Sequence, residues 1–107
     1  MELLNEELIK RFKEVGNQEK EKDPLVVAKF FNPCGAGTWY ALEYDEKEKT
    51  FFGYVSIFGD HNDELGYFSL EELKGITSPP FGLGIERDLH CGEQKLSKMA
   101  DTFNPRK

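Results

Sequence analysis

The stretch that carries the most reactive side chains in this sequence reads GIERDLHC and spans residues 84–91. If it forms a β-strand, its period of two places Glu86, Asp88 and His90 on one face. Two carboxylates and an imidazole on one face could bind Zn²⁺, Mn²⁺ or Fe²⁺, or supply a general base. These three residues are therefore candidate catalytic or metal-ligating groups of a small hydrolase, in which Arg87 or Tyr40 would orient the substrate.

A solvent-exposed strand explains the same pattern, and we favour this interpretation. Mixed charges on one strand face usually contact water, and the sequence contains neither HExxH nor a pair of CxxC motifs. The other face of a strand at 85–91 would carry Ile85, Arg87, Leu89 and Cys91 toward the core, where an unpaired guanidinium is costly. We therefore expect Arg87 to pair with a carboxylate, and Glu43 is a candidate.

Three other features could carry chemistry, but each has a simpler explanation. His61 lies in an acidic turn and could complete a metal site, although a solvated side chain explains it better. Cys91 follows His90, but adjacent strand residues point apart, so Cys34 in a glycine-rich loop is the more accessible thiol. The loop at residues 32–38 reads NPCGAGT and lacks the phosphate-binding pattern GxxxxGK[ST], so a tight turn or a bulge explains its glycines. We expect no cofactor.

Length and charge bound the class of protein. The 107 residues predict a single domain, 1–107, and nine Phe, four Tyr and one Trp supply the bulk of a core despite a hydrophobic content of 38%. The net charge of -6 disfavours a nucleic-acid partner, because Lys and Arg contacts to phosphate supply most of that affinity. Such a partner would need Lys10, Arg11 and Lys13 gathered on one face. The same charge permits an acidic surface that docks on a basic protein.

The sequence shows no membrane-spanning or signal segment. No apolar run approaches the roughly 18–20 residues that cross a bilayer, and we recognise no signal peptide. We therefore expect a soluble cytoplasmic protein with reduced cysteines.

Hydrophobic periodicity and turn residues predict an α+β fold with three helices and about five strands. The helices are predicted within the segments 3–15, 69–73 and 93–103, and the strands at 25–31, 38–45, 50–59, 65–68 and 85–91. Asn5 is the predicted N-cap of the first helix, Gly16 follows its end, and Ser69 with Glu72 forms a capping box. The segment 17–23 is polar and is predicted to be a solvated loop. Short connections favour an antiparallel sheet with the helices on one face.

Both faces of the predicted strands carry aromatic side chains. Alternation in strand 38–45 predicts Trp39, Ala41 and Glu43 on one face, and Tyr40, Leu42 and Tyr44 on the other. In strand 50–59 it separates Phe51, Val55 and Ile57 from Phe52, Tyr54 and Phe58, so this strand is expected to be central. Two thin helices would leave part of these faces uncovered, and an exposed aromatic patch would mark a partner site. The candidate binding residues are Trp39, Tyr40, Glu43, Tyr54, Tyr67 and Arg87.

Four blocks of the sequence resemble a known family. FFNPCGAGTWYALEYD, FFGYV, ELGYFSLEEL and FGLGIERDLH cover about residues 25–90 and are similar, in the same order, to the signature blocks of the domain of unknown function 2958 family. The resemblance implies a small bacterial protein, often encoded on plasmids and integrated mobile elements near transfer and anti-restriction genes, and it implies no activity. Cys34 in the loop 33–37 and the turn DHNDE at 60–64 depart from the family pattern.

We therefore expect a non-enzymatic protein-binding module that docks an unidentified protein partner through an acidic and aromatic surface. The family resemblance implies that it serves a mobile element, with a host defence as its target. A metal-dependent or acid–base hydrolase centred on Glu86, Asp88 and His90 is the alternative. The sequence leaves open a monomer or a homodimer formed through an edge strand.

Overall fold

A five-stranded antiparallel sheet lies at the centre of the structure, a computed structural model that describes residues 2–57, 63–78, 82–90 and 92–103. The helices are α1 (Glu6–Val15), α2 (Leu70–Gly75) and α3 (Leu96–Met99). The strands are β1 (Leu25–Val26), β2 (Ala28–Phe31), β3 (Thr38–Asp45), β4 (Thr50–Ser56), β5 (Glu64–Ser69), β6 (Thr77–Ser78), β7 (Leu83–Gly84), β8 (Glu86–Arg87) and β9 (Gln94–Lys95). The central sheet has the order β5-β4-β3-β2-β8, and two short ribbons pair β1 with β9 and β6 with β7. None of the helices in the described ranges is long and apolar enough to cross a membrane. The predicted α+β class with an antiparallel meander is confirmed.

Each face of the sheet carries its own hydrophobic core. The face covered by α1 and α2, which we term the α1 face, is centred on Phe51, and the rings of Phe12, Phe30, Tyr44 and Phe68 surround it with centroid separations of 4.7–5.9 Å. Each buried ring removes about 150–250 Å² from water, so this cluster accounts for much of the core.

The opposite face, which we term the α3 face, is covered by the C-terminal segment. Leu96 and Ala100 pack there with Tyr40, Leu42 and Tyr54. The prediction that all helices lie on one face is therefore wrong, and the reason is that β3 and β4 present apolar side chains on both faces. The strand predicted at 50–59 corresponds to β4, which lies between β3 and β5 and carries buried side chains on both faces. The prediction that this strand is central is confirmed.

Local capping defines the helices as expected. The Asn5 carboxamide accepts the Leu8 N–H at 2.8 Å, and Gly16 follows α1 with φ +71°. The Ser69 hydroxyl accepts the Glu72 N–H at 2.9 Å and begins α2. Both N-caps satisfy donors that the first helical turn would otherwise leave unpaired.

The strand bounds differ from the predictions where pairing partners change. The predicted strand 25–31 is two strands, because β1 pairs with β9 whereas β2 pairs with β3 and β8. Strand β4 ends at Ser56, and Phe58 lies outside the described residues. Strand β5 is one residue longer at each end than predicted.

The alternation predicted for β3 holds to Leu42 and is wrong beyond it. Ala41 is paired with Gly53, but Glu43 is paired with Phe52, so Leu42 is an extra residue in a β-bulge. Glu43 consequently lies on the α3 face beside Phe52. Tyr44 moves to the α1 face, where it contacts Phe12 and Phe51.

The C-terminal helix is shorter than the predicted 93–103. Gln94 and Lys95 pair with β1, so helix begins only at Leu96 and ends at Met99. Leu96 and Ala100 still pack together on the sheet, because the Ala100 N–H donates to the Leu96 carbonyl at 2.9 Å and so keeps the two side chains at helical spacing. Asn104 and Pro105, which follow the predicted helix, lie outside the described residues.

Candidate functional site

The stretch GIERDLHC forms much less strand than predicted. Only Glu86 and Arg87 pair with the sheet, opposite Phe31 and Phe30 of β2. The chain bends after Arg87, where the Asp88 carboxylate accepts the His90 N–H at 2.9 Å. The prediction of a strand through residue 91 is therefore wrong, since a turn closed by its own carboxylate replaces the strand.

The three candidate catalytic residues of this stretch do not converge. Glu86 is half-buried, Asp88 lies 3.8 Å from the Lys29 ammonium, and His90 is exposed. No three His, Cys, Asp or Glu side chains in the described part of the chain are placed to hold a metal ion together. His61 and Cys91 lie outside the described residues. The geometry of Glu86, Asp88 and His90 therefore gives no support to a hydrolase or a metal centre.

Arg87 has a different neighbour from the one expected. Its guanidinium donates to the Leu3 carbonyl at 3.3 Å on the α1 face. Glu43 lies on the α3 face because of the bulge and accepts the Gln18 N–H at 3.1 Å. The predicted pairing of Arg87 with Glu43 is therefore wrong, since the two side chains lie on opposite faces of the sheet.

Two of the basic residues considered for a nucleic-acid surface contact carboxylates. Arg11 makes a bidentate contact with Glu93 at 2.7 and 2.8 Å, and this hydrogen bond raises the pKa of the guanidinium. Lys13 contacts Glu46 at 3.0 Å. A carboxylate therefore lies beside each of these two cations.

The candidate binding aromatics divide sharply by burial. Trp39, Tyr40 and Tyr54 are at most 8% exposed and belong to the two cores. Tyr67 is 73% exposed and contacts the Phe52 ring at a centroid separation of 5.1 Å. Tyr67 is therefore the candidate ring that a partner could reach. Cys34, in the loop before β3, is also exposed.

Tyr67 forms one wall of an open cavity of about 460 Å³ on the α3 face. Glu43, Phe52 and Tyr67 are direct cross-strand neighbours on β3, β4 and β5. The lining adds the carboxylates of Asp45 and Glu48 and contains no basic residue. We term this site, formed by these five residues, the acidic–aromatic cavity. Its volume falls within the roughly 300–1,000 Å³ range of ligand pockets.

The carboxylates of the cavity are positioned by backbone groups. Glu43 is held by the amide of Gln18, and the bulge directs it to this face. Asp45 accepts the N–H groups of Lys47 and Glu48 at 3.0 and 3.2 Å, which defines the turn that carries Glu48. Carboxylates beside aromatic ring faces attract cations through charge and through the ring quadrupole. The arrangement can therefore bind a cationic group.

A partly buried tyrosine, Tyr44, also belongs to the lining of this cavity. Burial raises the pKa of Tyr44 above its ordinary 10.0, and the nearby carboxylates of Glu46 and Asp45 raise it further. The Tyr44 ring packs against the core of the α1 face. Because its pKa is raised, the hydroxyl stays protonated at neutral pH and adds no charge to the cavity.

Sequence analysis identified Glu43 and Tyr67 but missed Phe52, Asp45 and Glu48 as parts of one site. Residues 45–49 gave the pattern of a charged turn, and regular alternation placed Glu43 on the wrong face. A glycine inside the strand, Gly53, was the available indication, since glycine in a strand often marks a bulge.

The comparisons with curated proteins and with solved structures gave no significant match. A family model described as "Protein of unknown function (DUF2958)" matches residues 2–105, nearly the whole chain. This match agrees with the resemblance of the four sequence blocks, and the chain belongs to that family.

Proposed function

We propose that this protein is a non-enzymatic protein-binding module that docks a basic protein partner on the acidic–aromatic cavity. The observation that carries the proposal is the exposed Tyr67 ring beside the carboxylates of Glu43, Asp45 and Glu48. Tyrosine is enriched at energetically dominant interface positions because it combines a large apolar surface with a hydroxyl.

The charge of the whole chain supports the choice of a basic partner. The net charge of -6 gives a long-range attraction to cations, and the cavity concentrates carboxylates where no lining residue offsets them. A Lys or Arg side chain could therefore place its charge against a carboxylate and its stem on the Tyr67 ring.

The proposal includes a cellular setting that rests on the family resemblance. The resemblance implies that members of the family are often encoded on plasmids and integrated mobile elements, near transfer and anti-restriction genes. In this setting the protein acts in the bacterial cytosol, and its basic partner is a component of a host defence.

A pull-down followed by reconstitution tests the docking function. The protein is used as bait in bacterial lysate at low and at physiological salt, and a captured protein is purified and titrated by calorimetry. Tyr67→Ser and Glu48→Gln should each weaken binding by about fivefold or more, as expected for an interface anchor and a charge contact.

The matched control for this test is Glu21→Gln, since Glu21 is an exposed carboxylate outside the cavity lining. It should leave the affinity unchanged. Capture of no saturable partner at either salt concentration, or equal binding by all the variants, would contradict the proposal.

A further inference from the structure

The central sheet has two edge strands, β5 and β8, whose outer edges pair with no other strand of the described residues. β5 is the longer of the two. β5 spans six residues and pairs only with β4, whereas β8 at the opposite edge spans two. Its sequence, ELGYFS, contains no Lys, Arg or Pro, the residues that commonly protect an edge from further pairing. No strand in the described part of the chain covers the outer backbone of β5, so another extended chain could pair with it.

The side chains of β5 leave this edge open. Leu65 is 45% and Tyr67 is 73% exposed. Gly66 lies between them, and a Cβ built on it meets no atom within 4 Å. An incoming strand would meet little steric hindrance along 64–67 and would find apolar surface on the α3 face.

We infer that the partner presents an extended basic segment, which adds as a strand to the outer edge of β5 and directs an Arg or Lys side chain over Tyr67 toward the acidic–aromatic cavity. The inference rests on the proposed docking function and specifies its mode. Directly paired residues on neighbouring strands have Cβ atoms about 4.5–5.5 Å apart, so a side chain opposite Tyr67 would reach its ring. Backbone hydrogen bonds would supply affinity, and the cationic side chain would supply specificity.

Charge distinguishes this occupant from a second copy of the same chain. Two copies paired through β5 would bring their acidic–aromatic cavities together, each lined by Glu43, Asp45 and Glu48. The net charge of -6 on each copy would add to this repulsion. A basic segment gains attraction from the same groups.

The experiment uses a labelled eight-residue peptide in which arginine alternates with valine or threonine, and fluorescence anisotropy measures its binding at low and physiological salt. Two further peptides carry N-methyl groups on either the arginine or the Val/Thr amides. In a strand the N–H groups of alternate residues point to the same side. At least one methylated peptide should therefore bind tenfold or more weakly, although its charge is unchanged.

Hydrogen exchange provides the second measurement. Amides of 64–69 that face the edge should become protected by the parent peptide, whereas those of β8 should not. Failure of the parent peptide to bind, equal binding of all three peptides, or a β5-mediated dimer in light scattering would overturn the edge pairing. The docking function would then still be decided separately, by the effect of Tyr67→Ser and Glu48→Gln on the reconstituted partner.

Discussion

A single residue without a side chain allows the bulge that positions the candidate site. Gly53 is paired with Ala41 immediately before the extra residue in β3. A Cβ at position 53 would overlap the Tyr40 carbonyl oxygen and crowd the Ala41 Cα. The close approach of β3 and β4 at this point therefore requires glycine. The bulge begins directly after this pair and places the Glu43 side chain beside Phe52.

Replacing this glycine should destabilise the fold. Gly53→Ala is expected to lower the free energy of unfolding by about 1–3 kcal/mol or more, because backbone atoms must move to admit the methyl group. Gly66→Ala is the matched control, since Gly66 is paired directly with Gly53 but has open space around it. The control should be neutral or stabilising by up to about 1 kcal/mol. Urea denaturation measures both variants, and equal stabilities would contradict the packing described for β3 and β4.

Tyr44 should make the stability depend on pH in the alkaline range. Its folded-state pKa is raised above 10.0, first by burial and then by Glu46 and Asp45. The unfolded chain therefore loses this proton at lower pH than the folded protein, and the stabilising contribution is lost as pH rises from 10 through the folded pKa.

Lysine side chains also titrate at alkaline pH. Comparing the wild-type protein with Tyr44→Phe therefore separates the contribution of Tyr44 to the pH dependence of stability from that of the lysines. Urea unfolding of both proteins at about pH 9 and about pH 11 brackets the ordinary tyrosine pKa. The wild-type protein should lose more stability than the variant over this interval. An equal loss of stability in the two proteins would show that the Tyr44 phenol has the same pKa in the folded and unfolded states.

Residue-scale features were predictable where the causes are local. The N-caps Asn5 and Ser69 follow from side chains that bond to amides three residues away. The bulge at Leu42 was not predictable, because it depends on how β3 fits against β4. Only the presence of Gly53 within an aromatic strand indicated an irregularity.

At the scale of elements, a buried glutamine connects the loop after α1 to two strands. Gln18 is 7% exposed, and its side-chain amide donates to the carbonyls of Leu25 and Leu42 at 2.8 and 2.9 Å. Its side-chain oxygen accepts the Leu25 N–H at 2.7 Å, and its own N–H donates to Glu43. The prediction of a wholly solvated loop at 17–23 is wrong at this residue, which links the loop to the candidate site.

Gln18→Ala should therefore be costly although it changes a loop residue. It removes the partners of three backbone groups of Leu25 and Leu42, and we expect a loss of about 2–4 kcal/mol in unfolding free energy. The neighbouring change Glu19→Ala should have little effect, because that side chain is exposed. Chemical denaturation gives both values. A Gln18→Ala protein as stable as Glu19→Ala would mean that water replaces all of these hydrogen bonds.

Element types were more predictable than element extents. The apolar spacing of Leu96, Met99, Ala100 and Phe103 correctly indicated a segment that packs on the sheet. It did not show how much of that segment is helix, because Gln94 and Lys95 pair with residues about 70 positions earlier. The short length of β8 has a similar explanation, because the strand ends at the turn formed by Asp88.

At the scale of the whole molecule, the sheet has more apolar surface than its three helices cover. Composition indicated this surplus, with nine Phe and four Tyr in 107 residues. Which ring stays exposed depends on strand order, and periodicity within one strand does not determine that order. β5 lies at the edge of the sheet, so among the strands that the structure describes Tyr67 has a neighbour on one side only. Strand order and net charge together leave an acidic site beside an open edge.

Long-range charge and local contact should affect different rate constants of docking. The net charge of -6 acts at a distance, so raising the salt from about 20 mM to about 150 mM should lower the association rate constant by about tenfold and change the dissociation rate constant much less. Tyr67→Ser leaves the net charge unchanged, so it should instead raise the dissociation rate constant. Stopped-flow binding of the reconstituted partner measures both constants, with Glu21→Gln as the control for a charge outside the cavity lining. Salt acting mainly on the dissociation rate constant, or Tyr67→Ser acting mainly on the association rate constant, would contradict this prediction. Either result would mean that the partner contacts a different surface, because neither follows from an exposed ring surrounded by carboxylates.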